Sequence, residues 1–473
     1  MNDSLCLEGI LFDAPREGRG PLEVTGGAVP EGLEGTYFLN GPSNLERGDF
    51  RYKHWLDGDG FVRAVHFRGG GAEIVSKFVR TKKFEAETEA DRPIYRAFGT
   101  SFPGDQLRRR MALETPANVS IYSFGGRLFA FGEQALPWEL DRETLETVGE
   151  FDFGGELLEI SPFSAHPKVD HERNLLSNFG LKYGLGKTTL CYWEFDGDFR
   201  KVHSSEFTCP RPVSVHDFAL SPDYAVFYLS PYDLDIGAFV RKGESIHDSL
   251  SWHPEQENLL VLIPRDGDSE VVVIGLGVRG FCLHLIGACK QGDRLVVDLI
   301  ETSEPLYPQY EPLPNLFRSV RSGAFVRIVV QPDAGAVESV SSVPYPDVHL
   351  DFPVARELGR GGVCNDVWVL AVPVEPEGET KYFDRLLRFS WEERGVVDSY
   401  SPPTGSYLAG EMALVEGEGV YLIVPVWHSR QRESSILIFR AYELSAGPIA
   451  TLSLPYESPL GFHASFQKPP QQK

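Results

Sequence analysis

The feature that most limits what this chain can fold into is its cadence. Short apolar runs, each closed by turn residues, repeat along almost the whole length. The stretch Val119-Ser-Ile-Tyr-Ser-Phe, then Gly125-Gly126, then Arg127-Leu-Phe-Ala-Phe, then Pro137-Trp-Glu-Leu, then Asp141-Arg-Glu-Thr reads as strand, turn, strand, turn, strand. The same beat returns in Leu190-Cys-Tyr-Trp-Glu-Phe, Leu259-Leu-Val-Leu-Ile, Phe325-Val-Arg-Ile-Val-Val, Leu386-Leu-Arg-Phe-Ser-Trp, Val420-Tyr-Leu-Ile-Val and Ile436-Leu-Ile-Phe. Helical periodicity is scarce, and 47 glycines with 34 prolines favour many turns over long helices.

Strands at this spacing build a sandwich, a barrel or a propeller. Length separates them. A four-stranded propeller blade takes roughly 40–50 residues, so 473 residues hold seven blades with long loops, whereas one sandwich would leave most of the chain unused. The repeats are too divergent for blades to be counted directly. Residues 80–117 and 300–323 mix charge, proline and scattered apolar side chains, and read as excursions covering a site on one face. The tail Gln467-Lys-Pro-Pro-Gln-Gln-Lys is expected to be disordered.

Charge excludes one class of partner. With 45 basic and 68 acidic residues the net charge is −23, and the longest basic run is Arg108-Arg109-Arg110, so no nucleic-acid footprint is present. No apolar run approaches the ~18 residues of a membrane-spanning helix. The N-terminus lacks a basic region ahead of an apolar stretch, so a cytoplasmic location is expected. The apolar candidates for membrane contact, Tyr95-Arg-Ala-Phe-Gly-Thr-Ser-Phe and Pro312-Leu-Pro-Asn-Leu-Phe, are short and interrupted, which predicts at most weak, peripheral attachment. The cysteines, Cys6, Cys191, Cys209, Cys282, Cys289 and Cys364, form no CxxC pair and read as reduced, packed thiols.

Twelve histidines are present. His54, His66, His171, His203, His247, His253, His349 and His428 lie among charged or turn residues and read as surface or packed imidazoles. Four others, His166, His216, His284 and His463, sit in or beside apolar strand-like segments, 50, 68 and 179 residues apart. Those are distances between blades, not within one local motif. In a propeller the innermost strands converge on the axis, where single histidines from separate blades can meet at one metal. Four core histidines bonded to backbone carbonyls would give the same pattern.

The residues around these histidines resemble the carotenoid cleavage oxygenases, a family of seven-bladed propellers with non-heme iron. The resemblance runs from about residue 32 to residue 466. Leu33-Glu-Gly-Thr-Tyr-Phe-Leu-Asn-Gly-Pro and Trp55-Leu-Asp-Gly-Asp-Gly-Phe-Val are similar to its opening signatures. Ser164-Ala-His-Pro, Val215-His-Asp-Phe-Ala-Leu-Ser, Leu283-His-Leu-Ile and Gly461-Phe-His match its four ligand motifs in order.

The resemblance implies an all-β, seven-bladed propeller over residues 1–473 as one domain, with loops and short helices capping the top face. It implies Fe(II) held by four neutral imidazoles, those of His166, His216, His284 and His463, with two of six positions left open to O2 and water. It also implies three acids that orient those rings: Glu133 in Phe131-Gly-Glu-Gln, Asp351 in Leu350-Asp-Phe-Pro and Glu411 in Ala409-Gly-Glu-Met. The family normally has Glu where this chain has Asp351, one methylene shorter, so either the backbone comes closer or water mediates the contact. After the third histidine the family often carries Asn-Ala, an aromatic and an acid, where this chain has Gly287-Ala288-Cys289-Lys290.

The activity implied is oxidative cleavage of one carbon–carbon double bond of a carotenoid or apocarotenoid by O2, giving two carbonyl products. Cleavage of a stilbenoid or related phenylpropanoid is the alternative within the family. Those branches place a Lys beside the first acid to recognise a phenol, where this chain has Gly132. Nothing in the chain recommends the isomerohydrolase branch. A metal-free propeller acting as a binding protein is a further alternative, which loss of one of the four histidines would have favoured.

Overall fold

In the computed structural model, which describes residues 5–184, 186–356 and 365–469, the strands form seven sheets of four or more strands and two small hairpins. Each large sheet is one blade of a seven-bladed propeller. Blade one comprises Gly35–Leu39, Asp59–Arg68 and Gly71–Phe78 with additions at both edges, and blade two runs from Ser120–Phe124 to Thr147–Glu150. Blade three runs from Lys168–Asp170 to Lys201–Thr208, and blade four from Ala219–Leu220 to Val272–Gly275. Blades five and six run from Leu285–Gln291 to Ala336–Tyr345 and from Val348–Ala355 to Gly395–Tyr400. Blade seven is built on Ala413–Glu416, Val420–His428, Glu433–Arg440 and Ala450–Ser453.

The apolar runs in the sequence are the middle strands. Val420–His428 and Leu259–Pro264 are buried along most of their length because both faces pack on neighbouring blades, so they read as continuous hydrophobic stretches. Outer strands alternate instead, as in Lys201–Thr208, where half-buried and exposed residues take turns. Gly125 and Gly126, both at positive φ, make the two-residue turn that pairs Phe124 with Arg127. A Cβ on Gly125 would lie 2.7 Å from the Phe199 ring, so the position needs glycine on steric grounds as well.

The ring closes by an exchange of terminal strands. Ala464–Gln467 pairs with Gly35–Leu39 as the innermost strand of blade one, and Glu23–Gly27 pairs with Ala450–Ser453 as the outer strand of blade seven. Gln467, expected in the polar tail, is therefore a strand residue opposite Thr36; residues 470–473 of that tail lie outside the described residues.

Segments between strands roof one end of the ring. The stretch between Arg294–Thr302 and Gly323–Gln331 carries the short helix Tyr307–Tyr310, and Phe98, within the 80–117 excursion, packs on Tyr307 at 5.0 Å. A third insertion between Tyr224–Leu229 and Leu259–Pro264, bearing the hairpin Tyr232–Leu234/Leu250–Trp252, was not anticipated from sequence. Its Tyr232 stacks on Tyr307. The two segments expected to offer apolar contact surface are mostly drawn inward: Ala97, Leu316 and Phe317 are core residues, and exposed large apolar side chains lie elsewhere, at Met111, Leu158 and Ile160. Among the described residues no helix is long and apolar enough to cross a membrane. Cys6, Cys191, Cys209, Cys282 and Cys289 are free thiols, and Cys364 lies outside the described residues.

Candidate metal centre

From blade four through seven and one to blade two the innermost strands of neighbouring blades touch around the axis, and the four singled-out histidines stand just ahead of four innermost strands. His166 precedes Lys168–Asp170, His216 precedes Ala219–Leu220, His284 precedes Leu285–Gln291 and His463 precedes Ala464–Gln467. Blades three, four, five and one thus each contribute one imidazole from the same structural position. Close backbone packing sets the last of these: a Cβ on Gly41 would lie 2.7 Å from Gly461 Cα, so two glycines let 461–463 pass against blade one.

One nitrogen from each ring lies within 4.8 Å of the others. The Nε2 atoms of His166 and His216 are 2.9 Å apart. Two nitrogens held about 2.1 Å from one ion at right angles would be about 3 Å apart. His284 Nε2 is buried without a hydrogen-bond partner, an arrangement that costs free energy unless something binds there. Burial holds the pKa of both His166 and His463 below the ordinary imidazole value, so both are neutral and able to donate a lone pair. The donor set fits a divalent metal, with no fifth protein ligand in the cluster among the described residues.

The acids expected behind the rings come from the remaining blades. Glu133, after the second strand of blade two, places Oε1 2.7 Å from His216 Nδ1. Glu411, ahead of the first strand of blade seven, places Oε2 3.4 Å from His463 Nδ1 and accepts a hydrogen bond from Ala464 N. Asp351, in the first strand of blade six, accepts from His284 Nδ1 at 2.6 Å. Burial alone would push the Asp351 carboxyl up, but His284 outweighs it and holds the group at about 2. Burial likewise opposes protonation of His284, and Asp351 reverses that, raising its pKa.

The shorter Asp351 reaches His284 directly. The pairing of Val348–Ala355 with its neighbour shifts register between Asp351 and Val354, a β-bulge, and Phe352 sits at φ +53°. At this bulge the Phe352 ring lies 5.8 Å from that of His284 and 5.3 Å from that of His463.

A fourth carboxylate went unnoticed in the sequence although it adjoins a candidate ligand. Asp217 is buried, its Oδ1 3.7 Å from His166 Nδ1 and 2.8 Å from Lys168 Nζ. Its Oδ2 accepts from the backbone N–H of Leu285, next to His284. One side chain thereby ties together the carriers of His166, His216 and His284. The motif Val215-His-Asp-Phe held the signal; the approach of Leu285 is visible only in the fold. Over the rings lies an aromatic roof: Tyr307 is 6.4 Å from His216, and Trp55 packs on Phe462 at 4.3 Å.

The profile of the retinal pigment epithelial membrane protein family (RPE65) matches residues 11–468. The apocarotenoid-15,15'-oxygenase of Synechocystis sp. is 30% identical over 472 residues, covering 94% of this chain and 92% of that protein. The isoeugenol monooxygenase of Pseudomonas nitroreducens is 25% identical, covering 97% and 95%. Among solved structures, a point mutant of the Synechocystis ACO superposes with a TM-score of 0.87 at 28% identity, covering 98% of both chains. The cobalt-substituted Synechocystis ACO gives 0.86 at 27% identity, covering 97% and 98%. With its family profile matched nearly end to end and its propeller shared with these enzymes, this chain belongs to the RPE65/carotenoid cleavage oxygenase family.

Proposed function

We propose that this chain is an Fe(II)- and O2-dependent oxygenase that cleaves one carbon–carbon double bond of an apocarotenoid or carotenoid, with His166, His216, His284 and His463 as the metal ligands. The observation that carries this reading is the convergence of four imidazole nitrogens from four blades, three of the rings buried and that of His216 partly buried, with His284 Nε2 left unpartnered. One O2 replaces the alkene with two carbonyl groups, so atoms and electrons balance without an added reductant. Fe(II), when bound, supplies the one-electron chemistry that lets O2 react with a closed-shell alkene.

The protein's share is orientation and exclusion of water. Glu133, Asp351 and Glu411 face the Nδ1 atoms of His216, His284 and His463, and Asp351, accepting from His284 Nδ1, holds the tautomer that presents His284 Nε2 to the centre. Lys168 compensates Asp217, which keeps a second buried charge from distorting the His166 corner. Tyr307, Phe352, Phe462 and Trp55 supply the apolar wall that an uncharged polyene would lie against.

The identity to an apocarotenoid oxygenase supports a polyene over a phenolic alkene, and so does Gly132. A Cβ there would meet Thr115 Oγ1 at 2.2 Å, so the position has no room for a phenol-recognising Lys. The test is product analysis of the Fe(II)-loaded protein in air with a full-length carotenoid, two apocarotenals of different length and a hydroxystilbene, beside an anaerobic control. Oxygen-dependent aldehydes from a polyene are expected, their masses giving the bond cut. Cleavage of the stilbene alone would overturn the substrate assignment.

A further inference from the structure

The opening motif Trp55-Leu-Asp-Gly-Asp-Gly supplies no metal ligand, yet the turn it forms meets the wall of the site at three points. His54 caps that turn: its Nδ1 accepts from Leu56 N, and its backbone N–H donates to Asp57 Oδ2 at 3.1 Å. At one point Trp55 packs on Phe462, the neighbour of His463, at 4.3 Å. At a second, His54 Nε2 donates to the Tyr307 carbonyl at 3.0 Å. The third runs through Asp57, whose carboxyl accepts from Gly99 N at 2.7 Å and from the Thr100 hydroxyl at 2.6 Å, 42 and 43 residues further along the chain. Phe98, beside those two, packs on Tyr307 at 5.0 Å, and its carbonyl accepts from His247 N of the third insertion.

Capping the turn needs only the bond to His54 N. The other two bonds belong to the roof. Asp57 is fully buried, and among the described residues no cation is in contact with it: Lys83, the cation that acts on it, contacts Asp59 and Glu87 instead. Burial pushes its carboxyl up to about 6, against the three donors that favour the ionised form. The roof also comes down on the turn as closely as backbone allows, since a Cβ on Gly99 would lie 2.2 Å from His54 Cβ. A buried carboxylate satisfied from two segments holds them in one relative geometry.

Resting on the oxygenase reading above, we propose that Asp57 is a positioning residue for the alkene, which sets the height of the roof over the metal and holds Tyr307 and Trp55 where they wall the substrate. It touches neither substrate nor metal. Asp57 bonds to His54, Gly99 and Thr100, so its loss frees the roof and leaves the four imidazoles in place.

The test is Asp57→Asn in the Fe(II)-loaded full chain, with steady-state kinetics on whichever alkene of the panel the wild type cleaves. Asparagine replaces one acceptor oxygen with an NH2 group, so either the Gly99 or the Thr100 contact is lost. KM is expected to rise about 10-fold or more, the scale of losing a hydrogen bond to a buried charge, with kcat and bound iron little changed. An unchanged KM, whether or not kcat or iron falls, would overturn the proposal. Should the variant fail to fold, Thr100→Val decides, because it removes a roof donor and keeps the side-chain shape: a several-fold rise in KM at constant kcat and iron supports the role, and wild-type kinetics overturn it. A wrong substrate class shows in the wild type, as a different alkene cut, whereas a wrong role for Asp57 shows only in the variants.

Discussion

Two sets of largely buried histidines share the aromatic interior and use their ring nitrogens in opposite ways. His54 accepts from the Leu56 N–H at Nδ1 and donates from Nε2 to the Tyr307 carbonyl. His349 donates from Nδ1 to the Arg321 carbonyl and faces the Gln309 amide at Nε2. Both rings are fully consumed by fixed protein groups. At the axis, His216, His284 and His463 turn Nδ1 to a carboxylate and leave the other nitrogen to the cluster. Burial is common to both sets, so burial alone does not mark a ligand; the fate of the second nitrogen does.

The largest effect expected from this contrast is complete. His284→Ala should lose bound metal and all cleavage together, whereas His349→Gln, altering an equally buried ring, should keep its metal stoichiometry. Elemental analysis beside turnover checks both, and metal retained by the His284 variant would erase the distinction. Next in size, Asp351→Ala should lower metal affinity or rate by roughly 10–100-fold, since His284 would lose the partner that fixes its orientation. Full activity would show that the Asp351 contact to His284 is not needed for function.

Acid sharpens the other side. Burial holds the His54 pKa down at about 3, against about 6.5 for a free imidazole. The unfolded chain therefore binds the extra proton first as pH falls, so this stability is present above about 6.5 and is lost progressively toward 3. By pH 5 the loss is about 2 kcal/mol, readable as a urea midpoint that falls more in the wild type than in His54→Gln. Equal slopes in the two would show that His54 is not held neutral. The smallest effect belongs to the His166 corner, where Asp217 is shared with a partly exposed Lys168 and stands 3.7 Å from the ring. Lys168→Met should change kcat/KM by a few-fold only; a loss as large as that of Asp351→Ala would make the four corners equivalent.

Much of this arrangement could be read from the chain. The four histidines stood out because each interrupts an apolar strand pattern at inter-blade spacing, and His54 and His349 did not. Glu133, Asp351 and Glu411 were reached only through family motifs, because an acid beside a turn looks like any solvated carboxylate. What escaped depended on contacts distant in sequence. The strand exchange pairs Val24 with Leu452, the insertion bearing Tyr232 has no distinctive composition, and the Asp351 bulge depends on its pairing with Asp366–Pro373. Asp217 was on view in its motif, yet its reach to Leu285 N belongs to the packing of two blades.

The central claim, that the axial histidines hold the catalytic metal, is tested most directly by X-ray absorption at the iron edge on the Fe(II)-loaded full chain. The account predicts one iron per chain with scattering from four imidazoles, and no imidazole-ligated iron in His284→Ala. Iron bound with a carboxylate-dominated shell, or bound equally well by the variant, would contradict it.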